Sequence, residues 1–303
     1  AFPLLVSLYT SVGSAIYQSG NKALIERYVR PMVTGDRFVS FAYSEERDPF
    51  NLGSYAEEAR GGYILNGRKV IVTGGMVADA FMTYARRASG DICVFIVDCD
   101  DQGVERTPVD TMGWHSAGLA SLEFKEVRLP KERVLQAADG LSHVQRFLNQ
   151  RRILTSSGAV GYMRAIAEKC LEFLTTTTRY RMLLSDMQLV QAKLGRTFAA
   201  IETSRVVTHE GLKRLDAGAY NQEWDPYFSA AKFYVTEQAV ALGQTILHLT
   251  GGRGYESKYG FERYVRNISG MIAGAGSQDV LEVDLGVWYA STWEQERMRR
   301  NKS

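Results

Sequence analysis

GGYILNGRKVIVTGG, residues 61–75, decides how the chain is read. Its apolar side chains alternate, Tyr63 and Leu65 and then Val70 and Val72, which is the period of a half-buried strand. Between the two runs stands Asn66-Gly67, a pair that tolerates positive φ and so predicts a two-residue hairpin turn. The alternation returns in LASLEFKEVRLP, with Leu122 and Phe124 and then Val127 and Leu129, and ICVFIVD at 92–98 is a continuous apolar run. Residues 36–136 are therefore expected to form a compact antiparallel β domain.

Outside that segment the period becomes helical. Leu5, Leu8 and Val12, then Leu24, Tyr28 and Val29, predict two helices before a break at Pro31. After Gly140, Val160, Met163, Ala167, Cys170 and Leu174 share one face, and a second run follows from Met187 through Leu194, Phe198 and Ile201. A third helix is expected over residues 227–249, stopped by Gly251-Gly252. Four long helices with short connections pack as a bundle. The expected fold is α+β: residues 1–35 end an N-terminal helical domain, 36–136 form the β domain and 137–303 the four-helix bundle. The sequence opens at Ala1 inside a helical pattern, from which we expect further helices before it.

Composition excludes several classes. With 36 basic and 34 acidic residues interspersed, no broad basic surface for nucleic acid or membrane is implied, although Arg146, Arg151 and Arg152 suit a phosphate. Cys93, Cys99 and Cys170 have neither metal nor disulfide spacing, so no metal site is expected and the thiols are read as reduced and buried. No apolar stretch reaches about 18 residues without a charge. A cytoplasmic protein without membrane insertion is the expectation.

Five segments, in order, resemble the acyl-CoA dehydrogenase family of flavoproteins: FAYSEE (41–46), GGYILNGRKVIVTGG, MGWHSAGLASLEFKEVRLP (112–130), LTGGRGYESKYGFERYVRN (249–267) and SQDV (277–280). Each alone has an ordinary reading as a turn, a helix stop or a surface pair. Together they span nearly the whole chain in the family's order. The resemblance implies helices, a middle β domain and a helical bundle, an FAD cofactor, and α,β-dehydrogenation of an acyl thioester carried on CoA or an acyl carrier protein. It also implies a homodimer or homotetramer, or assembly with a paralogue, because the family's FAD site is completed by a neighbouring subunit.

By that resemblance Phe41, Tyr43 and Ser44 line the flavin ring and Thr73 stands near flavin N5. Arg179, Gln188, His248, Gly251 and Gly252 reach the nucleotide half of FAD, and Ser277 and Asp279 contact the same cofactor. Short hydroxyls and bare glycine amides suit a flavin edge and a pyrophosphate, which need donors and close backbone approach. Arg152 matches an arginine near the active centre, with a structural ion pair as its ordinary reading.

The pattern fails at the base. Where the family carries the glutamate that removes the α-proton, this chain has Ala275, and where a smaller branch carries it, this chain has Arg151, a permanent cation. The family's loop after the flavin segment is replaced by RDPFNLGSY (47–55), and RYRMLLSDMQ (179–188) is also short, so the stretches 46–54 and 181–187 depart from the pattern. Glu45 and Glu46 stand near the flavin segment, with a solvated turn as the expected environment. Two alternatives follow from the missing base: a flavin-dependent monooxygenase or oxidase on the same scaffold, or a non-catalytic subunit of a hetero-oligomeric acyl-CoA dehydrogenase.

Overall fold

Helix α1 (Phe2–Gln18) turns Leu8, Val12 and Ile16 inward, one face at four-residue spacing. The next helical stretch does not break at Pro31. A π-turn at Ile25–Val29 leads straight into Arg30–Thr34, with Pro31 in its first turn, where a missing N–H leaves no bond unmade. The stop is Gly35, left-handed at φ 84, whose N–H is shared by Met32 O and Pro31 O.

The computed structural model describes residues 2–46, 51–218 and 224–300, and the chain divides into two compact units, Ala1–Phe147 and Leu148–Ser303. In the first unit, Tyr28 and three arginines converge on one buried carboxylate. Arg27 and Arg133 pair with Asp98 at 2.5 and 2.6 Å, Arg37 reaches it at 3.5 Å, and Tyr28 Oη donates to it at 3.0 Å. All three guanidinium groups lie within 6 Å of the Tyr28 ring. This network fastens the N-terminal helices to the sheet.

Eight strands make that sheet: β1 (Val39–Ala42), β2 (Tyr55–Ala59), β3 (Gly62–Val72), β4 (Ala80–Arg86), β5 (Ile92–Asp98), β6 (Val104–Pro108), β7 (Ala120–Pro130) and β8 (Val134–Gln136). The path runs β6-β7-β3-β2-β4-β5-β8, with β1 paired to β4 off that path. The long ladders are antiparallel. β1 runs parallel to β4, and β2 meets β4 in one parallel pair, so the sheet is mixed. Its core is the apolar set the alternation marked, including Leu65, Val72, Leu122, Phe124, Val127 and Leu129.

The hairpin turn is not at Asn66-Gly67. β2 and β3 turn at Arg60-Gly61, with Ala59 opposite Gly62 and Gly61 at φ 84. Asn66-Gly67 lies inside β3 as a bulge: the register against β7 shifts between Leu65 and Gly67, and Asn66 Oδ1 accepts from Glu126 N at 2.9 Å. Gly67 is required there. At φ 143, a Cβ would press into Ser54 on the entering side of β2.

In the second unit four long helices are described: α2 (Gly140–Thr176, begun in the first unit), α3 (Gln188–Asp216), α4 (Pro226–Thr250) and α6 (Gln278–Arg300), with the shorter α5 (Phe261–Ser269) between the last two. Helix α4 is capped by Asp225, whose side chain accepts from Tyr227 N, and it packs against α3, α5 and α6.

Candidate functional site

The first group of expected site residues surrounds β1. Ser40 Oγ donates to Thr73 O at 2.5 Å and Val70 N donates to Ser44 O at 2.8 Å, so residues 40–44 and 70–73 run antiparallel side by side. Ser44 and Thr73 stand at opposite ends of that pairing. Among the described residues neither hydroxyl has a hydrogen-bond partner, and Ser44 is exposed.

Phe41 and Tyr43 are brought together as nearly parallel rings 6.0 Å apart. Phe41 also stacks on Phe147 at 4.5 Å, and Tyr84 stands edge-on to both Phe41 and Tyr43, at 5.7 and 5.1 Å. Tyr84 is fully buried and its hydroxyl lies 2.9 Å from His143 Nδ1. Burial raises the Tyr84 phenol well above its usual value, so it keeps its proton and donates. Burial, with Arg146 beside it, pushes His143 down to about 4, so the imidazole is neutral and accepts. Sequence reasoning missed this pair. The signal was a tyrosine in the middle of a largely apolar strand, AFMTYAR at 80–86.

Glu45 does not occupy a solvated turn. Its carboxylate, 5% exposed, pairs with fully buried Lys69 at 2.6 Å and accepts from Gly53 N and Ser54 N. Burial pushes its pKa up, but Lys69 and the two amides outweigh that and hold it below the usual carboxylate range. An ionised, fully partnered carboxylate is a fastening for the segment before β2, not a base. Glu46 is exposed and pairs with Arg68. Residues 47–50 of the replaced loop lie outside the described residues.

The second group is centred on the loop between α5 and α6. Ala275 sits in the left-handed region at φ 59, followed by Gly276 at φ 97. Two buried cations hold this loop from behind. Arg152, on α2, donates through Nε to Ala275 O at 3.3 Å and through Nη1 to Asn149 Oδ1 at 3.2 Å. Lys232, on α4 and fully buried, spends its three N–H groups on Ile272 O (2.9 Å), Gly276 O (2.8 Å) and Gln278 Oε1 (3.2 Å). Gln278 in turn donates to Phe233 O at 2.7 Å. Arg152 therefore forms no ion pair among the described residues, contrary to its ordinary reading. Burial lowers Arg152 to about 10, and burial with Arg152 nearby lowers Lys232 to about 7. Lys232 was also missed, although a lysine inside the apolar run SAAKFYV is a visible anomaly.

The remaining expected residues are exposed. Arg179 is in a two-residue ladder with Met182–Leu183 and donates to Thr178 O; Gln188 begins α3; His248 is in the last turn of α4. Gly251, at φ 57 and ψ −146, and Gly252 leave open space where a side chain would be, which is what close backbone approach by a phosphate requires. Ser277 and Asp279 open α6 on its exposed side. No hydrogen bond among the described residues joins Arg179, Gln188 or His248 to Ser277 or Asp279. Among the described residues no cluster of His, Cys, Asp or Glu could hold a metal, and no helix is long and apolar enough to cross a membrane.

Chemically, then, the Ala275 loop has a rigid backbone and cationic support but no side chain able to accept a proton. In the first unit, Ser44 and Thr73 offer hydroxyls of the kind a flavin edge accepts from, and in the second the bare Gly251-Gly252 turn offers the close backbone approach a phosphate needs.

Comparison with known proteins agrees with this layout. Residues 40–127 match the description "Acyl-CoA dehydrogenase, middle domain" and residues 138–286 match "Acyl-CoA dehydrogenase, C-terminal domain". The 3-(aryl)acrylate reductase of Clostridium sporogenes is 25% identical over 90% of this chain and 74% of its own length. The benzylmalonyl-CoA dehydrogenase of Aromatoleum aromaticum is 25% identical over 92% of this chain and 75% of its own. Among solved structures, the FAD complex of PigA superposes with a TM-score of 0.87 at 19% identity, covering 95% of this chain and 77% of that one.

Proposed function

The chain belongs to the acyl-CoA dehydrogenase family, and from that premise we propose that it is an FAD-dependent oxidoreductase converting a saturated acyl thioester, on CoA or an acyl carrier protein, to its α,β-unsaturated form. The observation that supports the reading is the pairing of residues 40–44 with 70–73, which runs the segment carrying Phe41, Tyr43 and Ser44 alongside the one carrying Thr73. When bound, FAD accepts the hydride from the β-carbon. The chain's own part is to hold it and to hold the thioester. Ser44 and Thr73 donate to the flavin edge, and Gly251 and Gly252 offer bare backbone to the phosphates of a cofactor on a neighbouring subunit. In this reading Arg179, Gln188, His248, Ser277 and Asp279, all exposed, complete that shared site. The Tyr84–His143 bond fixes the aromatic wall and moves no proton, since both groups are locked in one protonation state. The protein works as a cytoplasmic homodimer or homotetramer, or with a paralogue.

Ala275 favours keeping a second reading, an oxygenase or oxidase on the same scaffold. The spectrum of the purified protein separates them. A yellow protein bleached anaerobically by an acyl thioester supports the dehydrogenase; one bleached only by an external reductant supports the oxygenase; a colourless protein that takes up no FAD sinks both.

A further inference from the structure

Helices α3 and α4 leave between them a cavity of about 320 Å³ that lies wholly within the second unit. Lys193, Arg196 and Thr197 line it from one face of α3, at three- and four-residue spacing, and Gln238, Leu242 and Thr245 line it from α4 in the same way. The rest of its lining is alanine, and it has no carboxylate. Two features of the α3 wall stand apart from their surroundings. Lys193, half-buried, and Arg196, exposed, make no ion pair among the described residues. The two other arginines of α3, Arg205 and Arg214, each take a glutamate three or four residues back, Glu202 and Glu210. Two like charges three residues apart on one helix face repel until an anion joins them. Thr197 is 6% exposed, and its hydroxyl has no hydrogen-bond partner among the described residues. The threonines of α4 donate to the carbonyl four residues back: Thr236 to Lys232 O at 2.8 Å, Thr245 to Ala241 O at 3.0 Å and Thr250 to Ile246 O at 2.8 Å. Thr197 makes no such bond to Lys193 O. A buried hydroxyl without a partner is unfavourable until something completes it.

We infer that this cavity is a binding site for a small organic phosphate: a phosphate monoester whose dianionic head bridges Lys193 and Arg196 and accepts from the Thr197 hydroxyl. The two cations and one hydroxyl, with no carboxylate opposing them, match a head that carries close to two negative charges on three terminal oxygens. Arg196 supplies the planar fork of donors and Lys193 the point charge. The cavity is at the small end of the range for ligand sites and larger than a bare phosphate needs, so it takes a short carbon skeleton as well. That skeleton lies over Leu242, with Gln238 and Thr245 placed for its hydroxyl groups. None of the residues expected to hold FAD lines this cavity, so the inference does not depend on the chain's redox chemistry.

Glycerol 3-phosphate and ribose 5-phosphate are the probes, with glycerol, ribose and inorganic phosphate as their separated halves. Calorimetric titration of the full chain, with FAD in excess so that the cofactor's own phosphates are already accommodated, should show at least one of the two esters binding saturably at one per chain. Glycerol and ribose should not bind, and inorganic phosphate should bind more weakly than the ester. Lys193→Gln and Arg196→Gln should each weaken the ester about tenfold or more, since each removes a charge-assisted contact. Both side chains reach the surface, so neither change endangers the fold. Thr197→Val should weaken binding a few-fold while leaving the unfolding midpoint unchanged or higher, because the hydroxyl it removes has no partner in the free protein. Arg205→Gln, which removes a cation of the same helix outside the cavity, should leave binding as it was. Four results overturn the inference: neither ester binding saturably, binding that survives both Lys193→Gln and Arg196→Gln, inorganic phosphate binding as tightly as the ester, or an ester that binds only when FAD is withheld.

Discussion

A single imidazole gives the first test of the site. His143 has its pKa lowered to about 4 in the folded protein by burial, with Arg146 adding to the effect, while in the unfolded chain it returns to its ordinary value near 6.5. Between those two values the unfolded state binds the proton and the folded state does not, so stability is full above about pH 6.5 and falls as pH drops toward 4, by at most about 1.4 kcal/mol per pH unit. Urea unfolding between pH 7 and pH 4 should show this slope in the unmodified protein and a flatter one in His143→Gln; parallel slopes would mean that the histidine titrates normally. Ala275 gives the second. A positioned carboxylate is worth about 10²–10⁴ in rate, so butyryl-CoA should bleach the flavin of the unmodified protein very slowly and that of Ala275→Glu measurably faster in anaerobic stopped flow. Fast bleaching of the unmodified protein would show that another residue takes the α-proton. At this scale the sequence was legible only in part. Ala275 and Arg152 could be placed by motif, but Lys232, Glu45 and His143 owe their character to burial and to partners far along the chain, which spacing does not reveal.

The strands and helices were more legible than the joints between them. Alternation located β3 and β7 because each has one face in the core, and the side-chain period survives the bulge. The turn was misplaced because Asn66-Gly67 and Arg60-Gly61 both offer positive φ, and local chemistry alone cannot tell a hairpin from a bulge; only the register against β7 does so. The two glycines should consequently respond differently to alanine. Gly61→Ala meets open space and suffers only the cost of a left-handed residue, about 1 kcal/mol. Gly67→Ala adds a collision with Ser54 and should cost about 2–4 kcal/mol. Chemical denaturation of the two variants checks this, and equal losses would return the turn to Asn66-Gly67. Pro31 teaches the same lesson about helices: the preceding π-turn absorbs its missing donor, and such a turn has no sequence signature.

At the level of the whole molecule, the long C-terminal helices carry more apolar surface than their own core uses. Val280, Val283 and Val287 recur along one side of α6 and are 48%, 64% and 66% exposed, with Trp293 beyond them at 54%. Such a stripe is expected to be covered by another copy or a paralogue. Light scattering at micromolar concentration should give a dimer or larger assembly, and Val283→Glu with Val287→Glu should shift it toward smaller species; an FAD-loaded monomer would contradict the shared site. The surplus was visible in the helical pattern, whereas the partner that covers it was not, since one chain's pattern holds no record of another's. The Asp98 network bears on how substitutions would be tolerated. Three guanidinium groups and a phenol share the Asp98 carboxylate, and of the three Arg133 also reaches Asp101, at 3.4 Å, so the arrangement is richer in cations than in anions. In a saturation library scored for soluble protein, positions 27 and 37 should accept many residues, since two arginines remain when one is lost. Position 98 should accept almost none, because the three cations around Tyr28 would then be left with the Asp101 carboxylate, which pairs with Arg133 alone.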